Sequence, residues 1–569
     1  MSTDIVTTAS INPGEYFRES GVAFGRLTIA CILGLLVIGG FLLRTNQLSD
    51  ESLGEDEWKK LETVEEYRTN GLTGANGEHP FLLKGMLTVS VSAAGYWNLT
   101  TLVQNSPSLF IPVESAVRFP VTLFGAFSAI LIFLIASMLF GQDVGLIAAA
   151  MWAFDPSGIG LARIAKEDVV MTFFIMLSAY FLLKGQIAAE NGEGKWAKWM
   201  WAAAVAYGAL MATKYMPHFL AILTAYYFVF QGLPAAKWRF GQKRWFVFLV
   251  ILGVSFLLFN PTILLPDTWR QIAAFVSENR VGYKVESSYE YMGHIYRNKL
   301  SLWFFGIPWH FFYVFILVKL PVTTIAGTFA GVVLMFRKQL GDGRYFVFWW
   351  CFFWFMPFSI LGGKFTRYFA FALPIVHIIS AVGVAWFARK LSELFTGKNA
   401  ISSANRNGVF ASLLLIAAIV PLAGSLRAMP HYRLFTNIFG GGMQNAGYYF
   451  PHDEFFDARL GETAKVIAAN APPNARVYSE TARLMDFQLH REGRDDIESV
   501  WLSDPFELAK MRFGDIVIDA RGRRYLSNFK LLDNLNSTSK PFAKIDLGPV
   551  PAVKIFTIDD SNIEIFRRK

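Results

Sequence analysis

The segment FGRLTIACILGLLVIGGFLL, Phe24 to Leu43, is followed closely by SLGEDEWKKLETVEEY, Ser52 to Tyr67. The first segment is apolar over about 20 residues, the length that an α-helix needs to cross the hydrocarbon core of a bilayer. No A-x-A-like cleavage site accompanies it, so we interpret it as a retained transmembrane helix and not as a signal peptide. The second segment places six carboxylates directly beside that helix, and its role is the first question that the chain raises.

The overall composition is that of a polytopic membrane protein. Of the 569 residues, 53% are hydrophobic and only 17% are charged, a balance too apolar for a soluble globular chain. The net charge of +9 is expected from lysine and arginine in cytoplasmic loops, so it does not indicate a nucleic-acid partner. Cys31 and Cys351 both lie within apolar segments. Neither a disulfide framework nor a cysteine metal site follows from them.

Apolar segments recur along the chain and predict about eleven transmembrane helices. They are Phe24–Leu43, Arg118–Phe140, Val144–Leu161, Val169–Leu183, Met200–Thr213, Met216–Gln231, Trp245–Leu265, Trp309–Phe336, Tyr345–Leu361, Tyr368–Phe387 and Val409–Leu426. With residues 1–23 placed in the cytoplasm, the short loops rich in lysine and arginine all fall on the inner side, as the positive-inside rule requires. The loops 44–117 and 266–308 then lie outside.

After residue 429 the composition changes to that of a soluble domain. The segments PPNARVYSE and FGDIVIDARG follow turn signals and predict strands, whereas DARLGETAKVIAANA and DPFELAKMRF have the apolar spacing of helices. We therefore expect a transmembrane domain over residues 24–429 and a small α/β domain over residues 430–569 on the extracytoplasmic side.

Charged and polar side chains collect on the predicted outer side of the membrane. The positive-inside rule does not explain their presence there. The members are Asp56, Glu57, His79 and Lys84 in the first loop, Asp155, Arg163, Lys166, Glu167 and Asp168 between two helices, His294 in the loop 266–308, and Lys214, Lys319, Lys364, Arg367 and Tyr368 at later helix ends. Cations drawn from several helices are typical of a phosphate site, and paired carboxylates suit proton transfer. Helix capping explains Glu167 and Asp168 equally well, and a solvated helix face explains the glutamates after Glu57.

These motifs, in this order, resemble the membrane glycosyltransferases of the GT-C fold, and more narrowly the superfamily of protein O-mannosyltransferases and bacterial aminoarabinose transferases. The acidic pair is Asp56-Glu57, and HPFLLK keeps the histidine, first proline and lysine of a His-Pro-Pro-Leu-Gly-Lys element. KFTRYFAFALP is similar to a Lys-x-x-Arg-Tyr…Pro element, and GHIYRNK with ILVKLP is similar to a Gly-His…Val-Lys-Thr-Pro segment. The resemblance covers Phe24 to Phe387.

The resemblance implies transfer of one sugar, with inversion, from a polyprenyl-phosphate donor to a hydroxyl acceptor at the outer face of a bacterial inner membrane. It implies that Asp56 is the general base, while Glu57 and Asp168 orient the acceptor or stabilise the reacting sugar carbon. The residues expected to bind the substrate or the lipid phosphate are His79, Lys84, Arg163, Lys214, His294, Lys364, Arg367 and Tyr368. Asp155 and Glu167 are alternatives to Asp168, use of a divalent metal is open, and the acceptor is a protein, lipid A or another glycan.

Two other functions suit a chain of this kind. A secondary transporter also carries charged residues near its spans, but the sequence shows no internal repeat of the sort that many transporters have. A sensor or scaffold would use the C-terminal domain to bind a partner. The charges that topology does not explain all lie on the predicted outer side of the membrane, and this clustering favours the transferase.

Overall fold

The computed structural model describes residues 25–215, 222–227, 229, 238–281, 288–396 and 403–567. Up to residue 428 the described chain is almost entirely helical. Its helices are α1 (Arg26–Thr45), α2 (Glu55–Asn70), α3 (Phe81–Asn98), α4 (Thr101–Asn105), α5 (Val113–Phe140), α6 (Gln142–Phe154), α7 (Pro156–Ala162), α8 (Glu167–Glu190), α9 (Ala197–Thr213), α10 (Gln242–Phe259), α11 (Pro266–Val281), α12 (Phe311–Lys319), α13 (Val322–Met335), α14 (Gly343–Ile360), α15 (Leu373–Thr396) and α16 (Ser403–Ala428). A short antiparallel hairpin of β1 (Ser288–Tyr291) and β2 (His294–Arg297) lies between α11 and α12.

Five of the described helices, α1, α5, α8, α10 and α15, are long and apolar enough to cross a membrane. Helices α6 and α7 pass the same test as a pair bent by 58°, which raises the number to six. The multi-helical membrane architecture is therefore as expected, while the count of about eleven spans stays a prediction. The span expected at Met216–Gln231 lies for the most part outside the described residues, and so do residues 1–23.

The segment Trp309–Phe336, expected to be one span, forms two helices instead. Helix α12 ends at Lys319, and α13 begins just after Pro321. Proline has no N–H to continue the helical hydrogen bonds, and it disfavours helical geometry in the residue before it. The break leaves Lys319 at a helix end, where its ammonium is buried and lies 2.7 Å from the Glu454 carboxylate.

Helices α13 and α15 cross at glycines. A β-carbon on Gly331 would overlap the backbone of Ile379, and one on Gly383 would overlap the carbonyl oxygen of Gly327. Small residues let two helix backbones approach closely, which is how helices associate in lipid without a hydrophobic driving force between them. This helix pair therefore depends on glycine at the crossing.

Gly331→Val should lower the free energy of unfolding by about 1–3 kcal/mol, the usual cost of adding atoms to a close-packed contact. The measurement is thermal unfolding of the detergent-purified protein. Gly253→Val is the matched control, because a β-carbon on Gly253 of α10 meets nothing within 4 Å. Equal losses in the two variants would contradict the assignment of a tight crossing.

The C-terminal region is built on a five-stranded sheet of β3 (Arg476–Ser479), β4 (Glu498–Trp501), β5 (Ile516–Ala520), β6 (Ala543–Leu547) and β7 (Val550–Thr557), in the order β4-β3-β5-β7-β6. β3 runs parallel to β4 and β5, and β7 runs antiparallel to β5 and β6. Its helices are α17 (Pro451–Phe455), α18 (Leu460–Asn470), α19 (Ala482–Arg491), α20 (Pro505–Leu508), α21 (Phe529–Thr538) and α22 (Ile563–Arg567). The strands β3 and β5 and the helices α18 and α20 confirm the four elements expected from the sequence.

The C-terminal region packs directly onto α2, the acidic helix of the first loop. Trp58 of α2 belongs to the same buried apolar cluster as the strands of the sheet. The backbone N–H of Gly461 donates to the Ser52 hydroxyl at 2.8 Å, and the N–H of Glu55 donates to the Asp457 carboxylate at 3.0 Å. The orientation of α2, and of the carboxylates at its start, is therefore set by contacts with both parts of the chain.

Candidate active site

Glu57 anchors the start of α2 in the protein interior. Its carboxylate is fully buried and accepts two hydrogen bonds from Arg118, at 2.9 and 2.7 Å. It also accepts from the N–H groups of Gly54 at 2.9 Å and Ala165 at 2.8 Å. A carboxylate with four donors has its lone pairs committed to the protein. Glu57 therefore joins the first loop to α5 and to the turn before α8.

Asp56, the neighbour of Glu57, points to a different surface. Its side chain is 35% exposed, and its carboxylate lies 2.6 Å from the Lys166 ammonium. Lys166 immediately precedes α8, and its side chain is 10% exposed. Because Glu57 holds the first turn of α2 against the turn containing Ala165, the same contact brings Asp56 to Lys166. The acidic loop and the charged turn between two helices thus meet, as the sequence predicted.

Glu167 lies behind this pair and has two basic neighbours. The Lys60 ammonium is 3.1 Å from its carboxylate, and Nδ1 of His79 is 3.3 Å away. Lys60 and Glu167 are both buried, and Lys60 stands four residues after Asp56 on the same face of α2. Removing two charges from water is costly unless they stay together, so this pair is a fixed part of the site.

Asp168, Lys214 and Arg367 form the second half of the charged cluster. The Lys214 ammonium lies 3.3 Å from Asp168, and Nε of Arg367 lies 4.0 Å from the other carboxylate oxygen. The Arg367 guanidinium stacks on the Phe365 ring at 4.0 Å from its centre, while Lys214 lies 5.4 Å from the centre of the Tyr368 ring. Three parts of the chain remote in sequence, α8, the end of α9 and the turn before α15, thus place their charges together.

The electrostatic environment defines the charge state of the group at neutral pH. Burial acts to raise the pKa of Asp56, but Lys166, Arg367 and Lys60 hold this pKa well below its usual value. Burial lowers the pKa of Lys166 to about 8, although Asp56 opposes the change. Burial also lowers the pKa of His79 to about 3. Asp56 is therefore a carboxylate, Lys166 is mostly an ammonium, and His79 is neutral.

Three of the cations expected to hold phosphate instead donate to backbone carbonyl groups. The Lys84 ammonium donates to the carbonyls of Ala75 and Asn76 at 2.9 and 2.8 Å. Arg163 donates to the carbonyls of Arg44, Asn46 and Gln47 at 2.7–3.0 Å. Lys364 donates to the carbonyls of Ile307, at 2.8 Å, and Leu361. In this structure these side chains hold the loops around the charged cluster.

Asp155 and His294 lie apart from the cluster in the hydrogen-bond network. Asp155 is fully buried, and its carboxylate caps α7 by accepting from the N–H of Gly158 at 2.7 Å. His294 is an exposed residue at the start of β2, opposite Tyr291 in the hairpin. Of the three candidates for the second acidic residue, Asp155 is thus a helix cap, whereas Glu167 and Asp168 both contact cations of the cluster.

Two participants were not among the sequence candidates, Lys60 and Asp453. Asp453 lies in α17, and its carboxylate is 3.5 Å from Nη1 of Arg367. It also accepts from the Tyr289 hydroxyl at 2.6 Å and from the N–H of Thr366 at 2.8 Å. The available signal for Asp453 was a pair of acidic residues within the aromatic segment YYFPHDEFF, because carboxylates so flanked are buried beside a partner. For Lys60 the signal was its helical spacing from Asp56.

A divalent metal does not fit the described side chains. Within the described part of the chain, no group of three or more histidine, cysteine, aspartate or glutamate residues is arranged to hold a metal ion. The carboxylates of the cluster are instead paired with lysine and arginine.

Comparison with known proteins gives one family match and several structural matches. Residues 51–266 match the family model described as dolichyl-phosphate-mannose-protein mannosyltransferase. The oligosaccharyltransferase of Archaeoglobus fulgidus, tethered with an acceptor peptide containing the NVT sequon, is similar with a TM-score of 0.50 and 12% identity, over 87% of this chain and 69% of that chain. A search of curated protein sequences finds no match.

Two further structures are similar at lower TM-scores. ArnT from Cupriavidus metallidurans, bound to undecaprenyl phosphate, has a TM-score of 0.46 and 15% identity, over 94% of this chain and 98% of that chain. The Pmt1-Pmt2 protein O-mannosyltransferase complex of S. cerevisiae, bound to the sugar donor, has a TM-score of 0.32 and 17% identity, over 49% of this chain and 38% of that chain.

The fold and the family match define a class. The chain is a multi-helical protein with a GT-C-like fold, and residues 51–266 are similar to the family of dolichyl-phosphate-mannose-protein mannosyltransferases. Within that class, the part that carries the acidic loop and the turn before α8 has the sequence pattern of the dolichyl-phosphate-mannose-protein mannosyltransferases. The resemblance expected from the motifs is confirmed.

Proposed function

We propose that this protein transfers one sugar from a polyprenyl-phosphate donor to a hydroxyl acceptor at the extracytoplasmic face of a bacterial inner membrane. The transmembrane part, residues 24–429, would supply the charged cluster, and residues 430–569 would lie on the same side of the membrane as that cluster. The placement of the short basic loops supports this orientation.

The observation that carries the proposal is the convergence of alternating charges from four separate segments. Asp56 pairs with Lys166, and Asp168 lies between Lys214 and Arg367. Arg367 also acts on Asp56, since it is among the charges that lower the pKa of that carboxyl. A base and several phosphate-binding cations within one cluster are what transfer from a lipid phosphate requires. A secondary transporter does not need a proton-accepting carboxylate and phosphate-binding cations clustered at its extracytoplasmic face.

The proposed reaction is a single displacement. The acceptor oxygen forms a bond to the anomeric carbon of the sugar as the bond from that carbon to the phosphate oxygen breaks. Asp56 takes the acceptor proton, and the electron pair of the broken bond stays on the departing lipid phosphate. Lys166, Lys214 and Arg367 offset the charge that develops there. Attack opposite the leaving group inverts the anomeric centre.

Donor binding would also activate the base. In the free protein the neighbouring cations hold the pKa of Asp56 low, which makes the carboxylate a weak proton acceptor. A phosphate that takes Lys166 and Arg367 as partners withdraws part of this stabilisation, so the pKa of Asp56 rises toward a value better suited to proton transfer. Asp168 and Glu167 would keep the cations in place when the phosphate leaves.

The remaining residues expected from the sequence would support the reaction by holding or lining the charged cluster, without taking part in bond breaking. Glu57, Lys84, Arg163 and Lys364 hold the loops that present the cluster, while His79 and Tyr368 line it. His294 would meet the substrate only through the exposed surface of the hairpin.

The direct test is sugar transfer by the purified full-length protein. A panel of undecaprenyl-phosphate-linked sugars, each radiolabelled, is incubated with cell-envelope extract from a strain that lacks the gene, and labelled products are separated. Transfer of one sugar into a protein or lipid fraction is expected. Absence of transfer from every donor, with the lipid donors bound no better than an uncharged polyprenol, would reject the proposal. Mass spectrometry of envelope lipids and proteins from the deletion strain then identifies the acceptor.

The activity should fall as the pH rises through about 8. Lys166 has a pKa of about 8, so it is charged below that pH and neutral above it, where its hold on the phosphate is lost. The neighbouring cations hold the pKa of Asp56 well below its usual value, so its ionisation does not limit activity between pH 5 and 8. Lys166→Arg should shift the alkaline fall upward, because arginine remains charged. An alkaline limb unchanged in that variant would exclude Lys166 as its origin.

A further inference from the structure

The segment that leads into the C-terminal sheet contributes a carboxylate to the charged cluster. Asp453 of α17 is 7% exposed and has its strongest hydrogen bonds to structural groups, the Tyr289 hydroxyl and the Thr366 N–H. Those bonds fix the carboxylate between the hairpin and the turn before α15. Its other oxygen faces Arg367 at 3.5 Å, so it is held in place independently of that arginine.

Arg367 is bound loosely by its two carboxylate neighbours. Its contacts with Asp453, at 3.5 Å, and Asp168, at 4.0 Å, are both longer than the 2.7–2.9 Å of a strong charge-assisted hydrogen bond. The oxygen of Asp168 that faces Arg367 is buried and makes no hydrogen bond in the structure. The guanidinium is thus oriented by stacking on Phe365 and by the charges of Asp56, Asp453 and Asp168, and it retains the capacity to bind another anion.

Arg367 and Asp453 also line a small cavity of about 30 Å³ between the helical part and α17. Lys319, Arg433, Glu454 and Thr366 contribute to the same wall. A space of this volume has room for about two groups the size of a water molecule. The guanidinium therefore has space to move between the carboxylates and an incoming phosphate.

The charges around Arg367 are balanced. The ion pairs are Asp56 with Lys166, Asp168 with Lys214 and Asp453 with Arg367. Each carboxylate is matched by one cation, so an arriving phosphate brings excess negative charge. Removing Asp453 would leave Arg367 without its paired carboxylate, so its positive charge would be fully available to an anion.

We propose that Asp453 is a positioning residue that acts through Arg367 and competes with the lipid phosphate for its guanidinium. The inference rests on the proposed function. Asp453 holds Arg367 ready for the donor but keeps the phosphate from binding too tightly. The effect is largest for the product, because a lipid phosphate monoester carries more negative charge than the sugar-linked diester. Asp453 therefore promotes release of the product and sets turnover.

The test compares Asp453→Asn with the wild-type full-length protein in detergent, using undecaprenyl phosphate as the probe. The variant should bind the probe about tenfold more tightly, because the Arg367 guanidinium is no longer shared with the Asp453 carboxylate. Its kcat and its KM for the donor should both fall, the combination expected when an interaction that opposes ground-state binding is lost. Loss of a residue needed only for folding would lower the fraction of active protein and leave KM and the affinity for the probe unchanged.

Two comparisons test whether Asp453 affects the affinity for the probe by way of Arg367. In an Arg367→Gln background, Asp453→Asn should leave probe affinity unchanged, since the group through which it acts is gone. Asp519→Asn is the matched control, because Asp519 is also a buried carboxylate, paired with Arg524 at 2.9 Å within the C-terminal sheet region. If Asp453→Asn does not fold, Asp453→Ser removes the same charge, keeps an acceptor for the Thr366 N–H and carries the same expectation.

The outcomes separate this inference from the proposed function. Equal or weaker probe binding by a folded Asp453 variant, with tight binding by the wild type, overturns the inference alone. Binding by the wild type no tighter than by Arg367→Gln overturns the phosphate site itself and this inference with it. Tighter binding with slower turnover, lost in the Arg367→Gln background, supports it.

Discussion

Asp56→Asn should lower the rate of sugar transfer by about 10²–10⁴-fold, the usual contribution of a positioned general base. Asparagine has nearly the same shape as aspartate but cannot accept the acceptor proton at neutral pH. The substitution also leaves Lys166 without its partner at 2.6 Å, which adds positive charge beside the donor phosphate. Binding of the donor should therefore be unchanged or tighter, so the loss falls on kcat.

The measurement is the single-turnover rate with saturating labelled donor, beside the affinity for undecaprenyl phosphate. Glu62→Gln is the matched control, since Glu62 belongs to the same acidic helix but is exposed; it should transfer sugar at the wild-type rate. Retention of more than a tenth of the wild-type rate by a folded Asp56→Asn protein would falsify the assignment of Asp56 as the base. Loss of donor binding together with transfer would instead indicate a structural role.

Much of the architecture was accessible from the sequence because lipid and water impose different rules. A long apolar segment can satisfy its backbone groups in a bilayer only as a helix, so α1, α5, α8, α10 and α15 follow from composition. In the C-terminal region, short segments after turn signals predicted β3 and β5. The break at Pro321 was missed because the apolar character of the segment continues through it, although proline itself was the available signal.

The candidate site was predicted in part. Charges on the predicted outer side that topology did not require included Asp56, Lys166, Asp168, Lys214 and Arg367, and the structure places these side chains in one cluster. The sequence shows that such a charged residue needs a partner, but it does not show which group that partner is. Backbone carbonyl groups accept the hydrogen bonds of Lys84, Arg163 and Lys364. Every residue has a backbone carbonyl, so the sequence gives no sign of such a partner.

Contacts between remote segments were beyond the sequence argument. Asp453 reaches Arg367 across 86 positions of the chain, and nothing local to the segment YYFPHDEFF specifies that partner. The position of Glu57 was likewise not predictable from the residues next to it. Its position next to Asp56 suggested a shared chemical role, but helical geometry turns adjacent side chains about 100° apart, so one enters the interior as the other faces the cluster.

The largest loss of stability should come from Arg118→Leu, which removes the partner of Glu57. Arg118 donates to both oxygens of that carboxylate and to the carbonyls of Leu48, Glu51 and Ser52 at 2.8 Å. Leucine would leave the Glu57 charge buried and three carbonyl groups without a donor. Breaking a buried ion pair from one side costs about 3–5 kcal/mol, so the midpoint of thermal unfolding in detergent should fall well below that of the wild type.

Arg68→Leu is the matched control for this variant. Arg68 pairs with Glu65 at 2.8 Å on the exposed face of α2, the helix that contains Glu57, and the two side chains are 39% and 50% exposed. Such a pair contributes less than about 1 kcal/mol, so its loss should barely change the unfolding midpoint. Because Glu57 and Arg118 hold the turn from which Asp56 projects, Arg118→Leu should also lower transfer at temperatures where the protein remains folded. Similar stability of the two variants would mean that the Glu57 carboxylate reaches water or takes a proton, and that another contact holds Asp56 in place.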